Sequence, residues 1–418
     1  MASIADNIMV GQLGSEQLAA VAFANTIYAL FILFGIGVAI GITPLIGKAH
    51  GEKNEEIKSV LFKHGFYSNL IVGLGIVIAM LLLIPLFPFM GQPEIVIETS
   101  IPYFIFLIAT IPFTMFFFHL KQSGEGIYIT KPTMYITILG NILNILLNFV
   151  FIYGMLGVPA YGVVGAGIAT LLSRIVMAIA MYVYFKRTHF NNYFASFNQI
   201  VFRWSELKYI LKNSLPIGFQ YIIEISAFTI GTIMIGWLGT IPLAAHQIAI
   251  NLVSVTYLMA SGISSATTIR VSNLRGLGNY DELFLAAKSG TKIVIGFMIS
   301  ASVVFLLGNQ FLPSLYINET AVINIASNLL IIGVLFQIFD GFQVIGLGIL
   351  RGLNDLTVPT YLTAISYWAI GLPVSYYLGI YLEIGSEGVW YGYLAGLSAA
   401  SLLLFIRYNK VKKGLLKN

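Results

Sequence analysis

The chain has 418 residues, of which 58% are hydrophobic and only 9% charged, with a mean hydropathy of +0.89. Soluble domains carry roughly one quarter charged residues, so a water-soluble globular protein is excluded, and no polar stretch exceeds about 25 residues, too short for an appended soluble domain. The absence of cysteine excludes a disulfide framework, thiol catalysis and a cysteine metal site. The net charge of +5 is scattered along the chain rather than gathered into a nucleic-acid-binding face.

Apolar spans follow one another along the whole length. In chain order they cover roughly 1–12 (short), 18–43, 60–87, 96–118, 132–156, 163–185, 209–238, 243–269, 288–312, 321–350, 357–381 and 388–407. Proline and glycine mark the joints, as at Pro88, Gly157-Val158-Pro159, Gly239-Thr240-Ile241-Pro242 and Pro313. None of the spans shows the ten-residue alternation of a membrane barrel. The expected fold is therefore all-α and polytopic, with 12 transmembrane helices, the first of them incomplete.

Charge sorts cleanly between the joints. Of the 22 lysines and arginines, 21 flank or fill the even-numbered joints, among them Lys48, Lys53, Lys186, Arg187, Arg275, Arg351 and the C-terminal Arg407, Lys410, Lys412, Lys413 and Lys417. The odd joints carry only acids, such as Glu16, Glu94, Glu98, Glu319, Glu383 and Glu387. The positive-inside rule then places the even joints, the central loop and the C-terminus in the cytoplasm of a multi-pass protein of the inner (plasma) membrane.

The two halves repeat. Gly47-Lys48-Ala49-His50-Gly51 before Glu55-Glu56 answers Asn273-Leu274-Arg275-Gly276 before Asp281-Glu282. Lys131-Pro132-Thr133-Met134-Tyr135 answers Val358-Pro359-Thr360-Tyr361, and Gly162-Val163-Val164 answers Gly388-Val389-Trp390. The register shift is about 225 residues. Six spans per half give both halves the same orientation, so we expect an N-terminal lobe at 1–190, a cytoplasmic linker at 191–208 and a C-terminal lobe at 209–418. A pseudo-two-fold axis along the membrane normal should relate the lobes, with a central cavity between them. The same register pairs Gly14 with Gly239, which leaves the opening helix about 15–20 residues short. A misassigned start codon is the preferred account, a truncated or degenerate chain the alternative.

Only three of the 17 acidic residues fall inside apolar spans rather than in loops or at segment ends: Asp6, Glu224 and Asp340. A carboxylate at that depth is costly and persists only with a partner or a function. Asp6 has a candidate oxygen shell. Asn141, Asn144 and Asn148 recur on one helical face, Thr137 extends that face, and Thr170 lies on the next span. Amide and hydroxyl oxygens beside one carboxylate suit a hard cation such as Na⁺, or a proton held by hydrogen bonds. The competing reading is an interhelical polar clamp. Glu224 and Asp340 form a second constellation. Two carboxylates close together at membrane depth hold a proton near neutrality or bind a cation. Arg174, the only basic residue away from the ends of an expected span, reads as a structural ion pair with Asp6 or a snorkelling side chain, with a charge that moves the pKa of Asp6 during transport as the sharper reading. His246 reads as a hydrogen-bonded packing residue, with a proton relay as the minority view. Phe113, Phe116, Phe117, Phe118, Tyr221, Tyr257, Phe336 and Phe339 are candidates for an aromatic cavity for flat cations.

Several motifs together resemble the multidrug and toxic compound extrusion (MATE) family, in its NorM-like branch. They are Gly11-Gln12-Leu13-Gly14 after Asp6-Asn7, Asn144-Ile145-Leu146-Leu147-Asn148-Phe149 before Tyr153-Gly154, Leu243-Ala244-Ala245-His246-Gln247-Ile248-Ala249-Ile250-Asn251, and Leu350-Arg351-Gly352-Leu353-Asn354-Asp355 with Pro359. The resemblance covers essentially the whole chain. It implies a secondary antiporter that expels organic, often aromatic, cations by rocker-switch alternating access, driven by inward Na⁺ or H⁺. By resemblance, Asp6, Asn144, Asn148 and Thr170 match the family's N-lobe cation site, and Glu224 and Asp340 its C-lobe acidic pair. Phe336 stands where the family often has a tyrosine, which removes one oxygen ligand. The coupling set is thus expected at Asp6, Asn144, Asn148, Thr170, Glu224 and Asp340. Na⁺ contacts are expected at Asp6, Asn148, Glu224 and Asp340, and substrate contacts at Asp6, Glu224, Phe336 and Asp340. The expected partners are small organic cations and membrane lipid, with no nucleic acid, no cofactor beyond the coupling ion and a monomeric state. Enzymatic activity is not expected: the chain lacks a phosphate-binding loop, a His-Glu-x-x-His and a Gly-x-Ser-x-Gly motif. A flippase for a lipid-linked saccharide is the alternative, and it would call for a cationic cavity; a membrane-embedded hydrolase is a third reading.

Overall fold

The structure is a computed structural model that describes residue 6 and residues 9–155, 157–188, 191–197 and 199–416. The described residues contain helices and turns and no strand. Most of the expected first span lies outside them, although Asp6 and residues 9–12 are described.

Helix α1 (Ser15–Ile40) runs past Gly41 into α2 (Ile42–Gly51). It is followed by α3 (Glu55–Leu83), a 3₁₀ segment (Ile84–Met90) and α4 (Glu94–Gly126). Next come α5 (Lys131–Tyr153), α6 (Gly162–Arg187) and the short α7 (Asn191–Phe197). The rest of the chain forms α8 (Trp204–Gly236), α9 (Thr240–Gly276), α10 (Tyr280–Leu307), the single turn α11 (Phe311–Ser314) and α12 (Thr320–Gly352). Among the described residues ten stretches are long and apolar enough to cross a membrane. The expected eleventh span is a broken one: α13 (Thr357–Ala364), a π-helical turn (Ile365–Gly371), α14 (Leu372–Tyr376) and a second π-helical turn (Tyr377–Tyr381). Helix α15 (Ser386–Leu415) closes the chain.

Local chemistry sets the helix ends. Asn54 caps α3 by accepting from the Ile57 N–H at 2.9 Å, with Glu55 and Glu56 in the first turn. Asn279 caps α10 in the same way through the Glu282 N–H at 3.2 Å, with Asp281 and Glu282 following. Side-chain caps satisfy orphan helix donors, and acids favour the positive helix end. The repeat read from the sequence thus recurs as a repeated capping device. Helix α5 has proline in its first turn and stops at Gly154, whose φ of 76° is left-handed.

The chain forms two compact units, residues 1–46 with 54–218 and residues 47–53 with 219–418. The first is packed around Val21, Ile76, Tyr103, Phe104, Ile111 and Met115. The second has one core around Phe336, Trp390 and Tyr393 and another around Val294, Met298 and Ile345. In the second unit the two repeat-related segments touch backbone to backbone. A Cβ on Gly51 would lie 2.0 Å from the Asn273 carbonyl oxygen, and one on Gly276 would lie 2.0 Å from the Lys48 carbonyl oxygen. Glycine at both places is a requirement of close approach. The expected linker is folded onto α3: Lys63 Nζ donates to the carbonyls of Phe197 (2.5 Å) and Ile200 (2.7 Å), and the Arg203 N–H donates to His64 Nε2 at 2.9 Å.

Candidate functional site

The first unit brings Asp6, Asn144, Asn148 and Thr170 together. Helix α5 presents Asn144 and Asn148 one turn apart, and α6 supplies Thr170. Asn148 Nδ2 donates to Asp6 Oδ1 at 2.6 Å, Thr170 Oγ1 donates to Asp6 Oδ2 at 3.4 Å, and Asn144 Nδ2 donates to Thr170 Oγ1 at 3.2 Å. Asp6 is 3% exposed, Asn144 1%, Asn148 0% and Thr170 6%. The carbonyl oxygens of Asn144 and Asn148 have no hydrogen-bond partner. The result is a buried cluster that offers one carboxylate and two free amide oxygens, a donor set for a hard cation. Asn141 and Thr137 take no part in these bonds; Thr137 Oγ1 instead donates to the Thr133 carbonyl at 2.7 Å.

Two further residues belong to this neighbourhood. Tyr103 lies close enough for the charge of Asp6 to act on it, and its hydroxyl donates to Asn25 Oδ1 at 3.2 Å. Sequence reasoning missed both. Asn25 was readable as a lone amide in an apolar span, but nothing distinguishes Tyr103 among 23 tyrosines. Arg174 acts on Asp6 through its charge without forming an ion pair with it. Its Nη1 lies 3.5 Å from Met177 Sδ and its Nε has no partner.

The second unit assembles Glu224 of α8 and Asp340 of α12, close enough for the charge of Glu224 to act on Asp340. Gln343 Nε2 donates to Glu224 Oε1 at 3.2 Å, and the Tyr367 hydroxyl donates to Gln343 Oε1 at 2.9 Å. Asp340 is 4% exposed and its Oδ2 has no partner. Tyr257 lies within reach of both charges. None of the five ion pairs among the described residues involves Asp6, Glu224 or Asp340; all five lie near helix ends.

Arg351, read from the sequence as a joint residue, belongs to the end of α12 and its charge reaches Glu224. Its guanidinium lies 5.7 Å from the Tyr221 ring centre, and its Nη2 donates to Gln220 Oε1 at 3.2 Å. Gln343, Tyr367 and Arg351 are the residues missed here. The arginine was visible in the Leu350–Asp355 motif, but its inward reach was not.

Phe336 is buried in the aromatic core, 5.7 Å from Trp390 and 6.3 Å from Phe228. Phe117 and Phe118 pack on each other at 5.6 Å within an α4–α6 core. His246 is fully bonded: Trp390 Nε1 donates to its Nδ1 at 3.1 Å, and its Nε2 sits 2.9 Å from Thr232 Oγ1. With Nδ1 accepting, the imidazole is the neutral Nε2–H form and serves packing. No cluster of three or more His, Cys, Asp or Glu able to hold a metal occurs among the described residues.

A chain of many apolar helices whose deepest carboxylates carry no paired cation has the architecture of a membrane transporter. The chain belongs to the MatE family, the multidrug and toxic compound extrusion transporters: the MatE family model matches residues 1–150 and 216–377. It is 31% identical to the probable multidrug resistance protein NorM of Idiomarina loihiensis, covering 98% of this chain and 90% of that protein. It is likewise 31% identical to the multidrug resistance protein MdtK of Photorhabdus laumondii, covering 98% and 91%. The fold is also that of a crystal structure of MATE in the straight conformation, with a TM-score of 0.89 at 24% identity over 100% of this chain and 93% of that one.

Proposed function

We infer that the protein is a secondary antiporter. It exports small organic cations, often aromatic, in exchange for inward Na⁺ or H⁺, with the lobes at 1–190 and 209–418 alternating access. We assign it to the inner membrane of a bacterial cell as a monomer, with the basic joints and the C-terminus in the cytoplasm. It does no covalent chemistry. The observation that carries this reading is the state of the three deep carboxylates. Among the described residues none of Asp6, Glu224 and Asp340 has an ion-pair partner; Asp6 and Asp340 are buried and Glu224 half-buried, and at both sites there are oxygen atoms with no hydrogen bond. Such a group calls for a positively charged guest. Coupling ion and substrate then compete, because one buried negative site stabilises only one of two positive guests at a time.

Asp6, Asn144, Asn148 and Thr170 form one coupling-ion set, and Glu224 and Asp340 the other. Na⁺ is assigned to Asp6 with Asn148 and to Glu224 with Asp340; protons occupy the same carboxylates if the driving ion is H⁺. The substrate approaches Asp6, Glu224 and Asp340; Phe336, expected as a further contact, is instead packed against Trp390 in the core. The direct test is ion-driven uptake of an organic cation into inverted vesicles carrying Asp340→Asn. Loss of uptake is expected, and undiminished uptake removes the second carboxylate pair from the mechanism.

A further inference from the structure

Among the described residues three histidines are essentially shut off from solvent: His64, His119 and His246. Two of them have partners at both ring nitrogens. His64 pairs with the Val60 carbonyl and the Arg203 N–H, and His246 with Thr232 and Trp390. His119, on α4, has a partner at neither. Nearby on α3, Asn69 donates its Nδ2 to the Gly65 carbonyl at 3.2 Å, and its Oδ1 is left without a partner. Both side chains are 1% exposed. Buried polar atoms are nearly always hydrogen-bonded, so two unsatisfied groups that line the same groove leave bonding capacity for a polar guest.

His119 and Asn69 line one groove between α3 and α4, together with Phe66, Leu70, Leu74 and Phe116. The groove holds a cavity of about 30 Å³, room for a small polar headgroup, and it is open on one side. Gly73 keeps its floor open, since a Cβ there would come within 3.1 Å of Met115. Its rim is apolar: Leu70 is 38% and Leu74 49% exposed, on a helix that belongs to the most apolar of the ten membrane spans. A guest therefore arrives from hydrocarbon rather than from water.

The polar end selects the guest's chemistry. A neutral imidazole offers one N–H donor and one lone pair, and the Asn69 carbonyl oxygen accepts. No charged side chain lines the groove, so an ion would go uncompensated. A hydroxyl group both donates and accepts, and it satisfies His119 and Asn69 together. We propose that the α3–α4 groove is a lateral binding site for a neutral, hydroxyl-headed amphiphile drawn from the bilayer. The hydroxyl sits on His119 and Asn69, and the alkyl chain leaves between Leu70, Leu74 and Phe116.

The test uses the full-length protein in phosphatidylcholine vesicles and a 16-carbon alcohol with a photoreactive diazirine in mid-chain. The methyl ether of the same alcohol, which accepts but cannot donate, is the control. After irradiation, labelled peptides are mapped by mass spectrometry. Labelling should concentrate on the peptides carrying Leu70, Leu74 and Phe116, and should fall about tenfold with the ether or with His119→Phe, as expected for a buried hydrogen bond lost. Leu74→Trp fills the rim without touching the polar groups and should block labelling while thermal unfolding stays unchanged. Equal labelling by alcohol and ether, labelling that survives Leu74→Trp, or no enrichment over the rest of the lipid-facing surface would each overturn the proposal.

Discussion

The two acidic sites meet one electrostatic problem with different materials. In the first unit a single carboxylate already has a hydrogen bond on each oxygen, from Asn148 and Thr170, and the free acceptors are the amide oxygens of Asn144 and Asn148. In the second, the charge of one carboxylate acts on the other, Gln343 holds Glu224, and an oxygen of Asp340 is bare. On our reading, the first is a partly assembled coordination shell in which neutral dipoles do most of the holding. The second is a pair of negative charges whose repulsion is relieved by the guest itself. Neutral ligands discriminate by geometry and charge pairs by count, so the two sites should fail differently.

The largest contrast comes from deleting charge. Asp6→Asn removes the only carboxylate of its site. The loss of one buried charge contact should lower export by about 100-fold, measured as organic-cation flux per protein in proteoliposomes. Glu224→Gln leaves Asp340 in place and should act first on the pH profile of transport. Interacting carboxylates release protons in two linked steps, and a lone one releases its proton in a single step. A profile of unchanged shape would separate Glu224 from Asp340 and end the comparison.

Deleting the neutral partners should cost less. Asn148→Leu removes both a bond to Asp6 and a free amide oxygen, and it should weaken apparent coupling-ion affinity about tenfold. Gln343→Leu removes one bond to Glu224 and loosens Tyr367, with a similar or smaller effect. If Gln343→Leu proved the more damaging, the second site would depend on its dipoles as much as the first. His246→Leu is the control for burial alone. It strands the Trp390 N–H, so stability should fall by about 1–3 kcal/mol in a denaturation assay while flux per folded molecule is kept.

Much of this was legible because lipid makes sequence explicit. An apolar span declares itself by length, and a carboxylate within it stands out against a background that forbids charge. Asp6, Asn144, Asn148 and Thr170 could be grouped because helical spacing puts the two asparagines on one face. The gaps have equally physical origins. The span at 357–381 reads as one apolar run, yet it is folded with two π-helical turns, which hydropathy does not register. Gln343 and Tyr367 are ordinary residues by type, and their role depends on a tertiary approach between α12 and the broken span. Phe336 was legible as an aromatic one turn from Asp340, but periodicity alone does not say whether such a ring faces a cavity or, as here, Trp390.

Arg351 offers the smallest and most discriminating test. Its charge reaches Glu224, its guanidinium lies over Tyr221, and its Nη2 is held by Gln220. Arg351→Lys keeps the charge but loses the planar group that stacks on the ring, an exchange worth about 0.5–1 kcal/mol. Ion-driven flux should therefore change only about two- to fivefold. Arg351→Gln removes the charge as well, and it should alter the coupling-ion dependence of the second site more than Lys does. Ion titrations of flux on the two variants decide the matter. If Lys and Gln behave alike, the arginine works through its shape at the end of α12. If Gln alone shifts the ion dependence, the second site carries a built-in positive charge poised against its guest, as Arg174 does for Asp6.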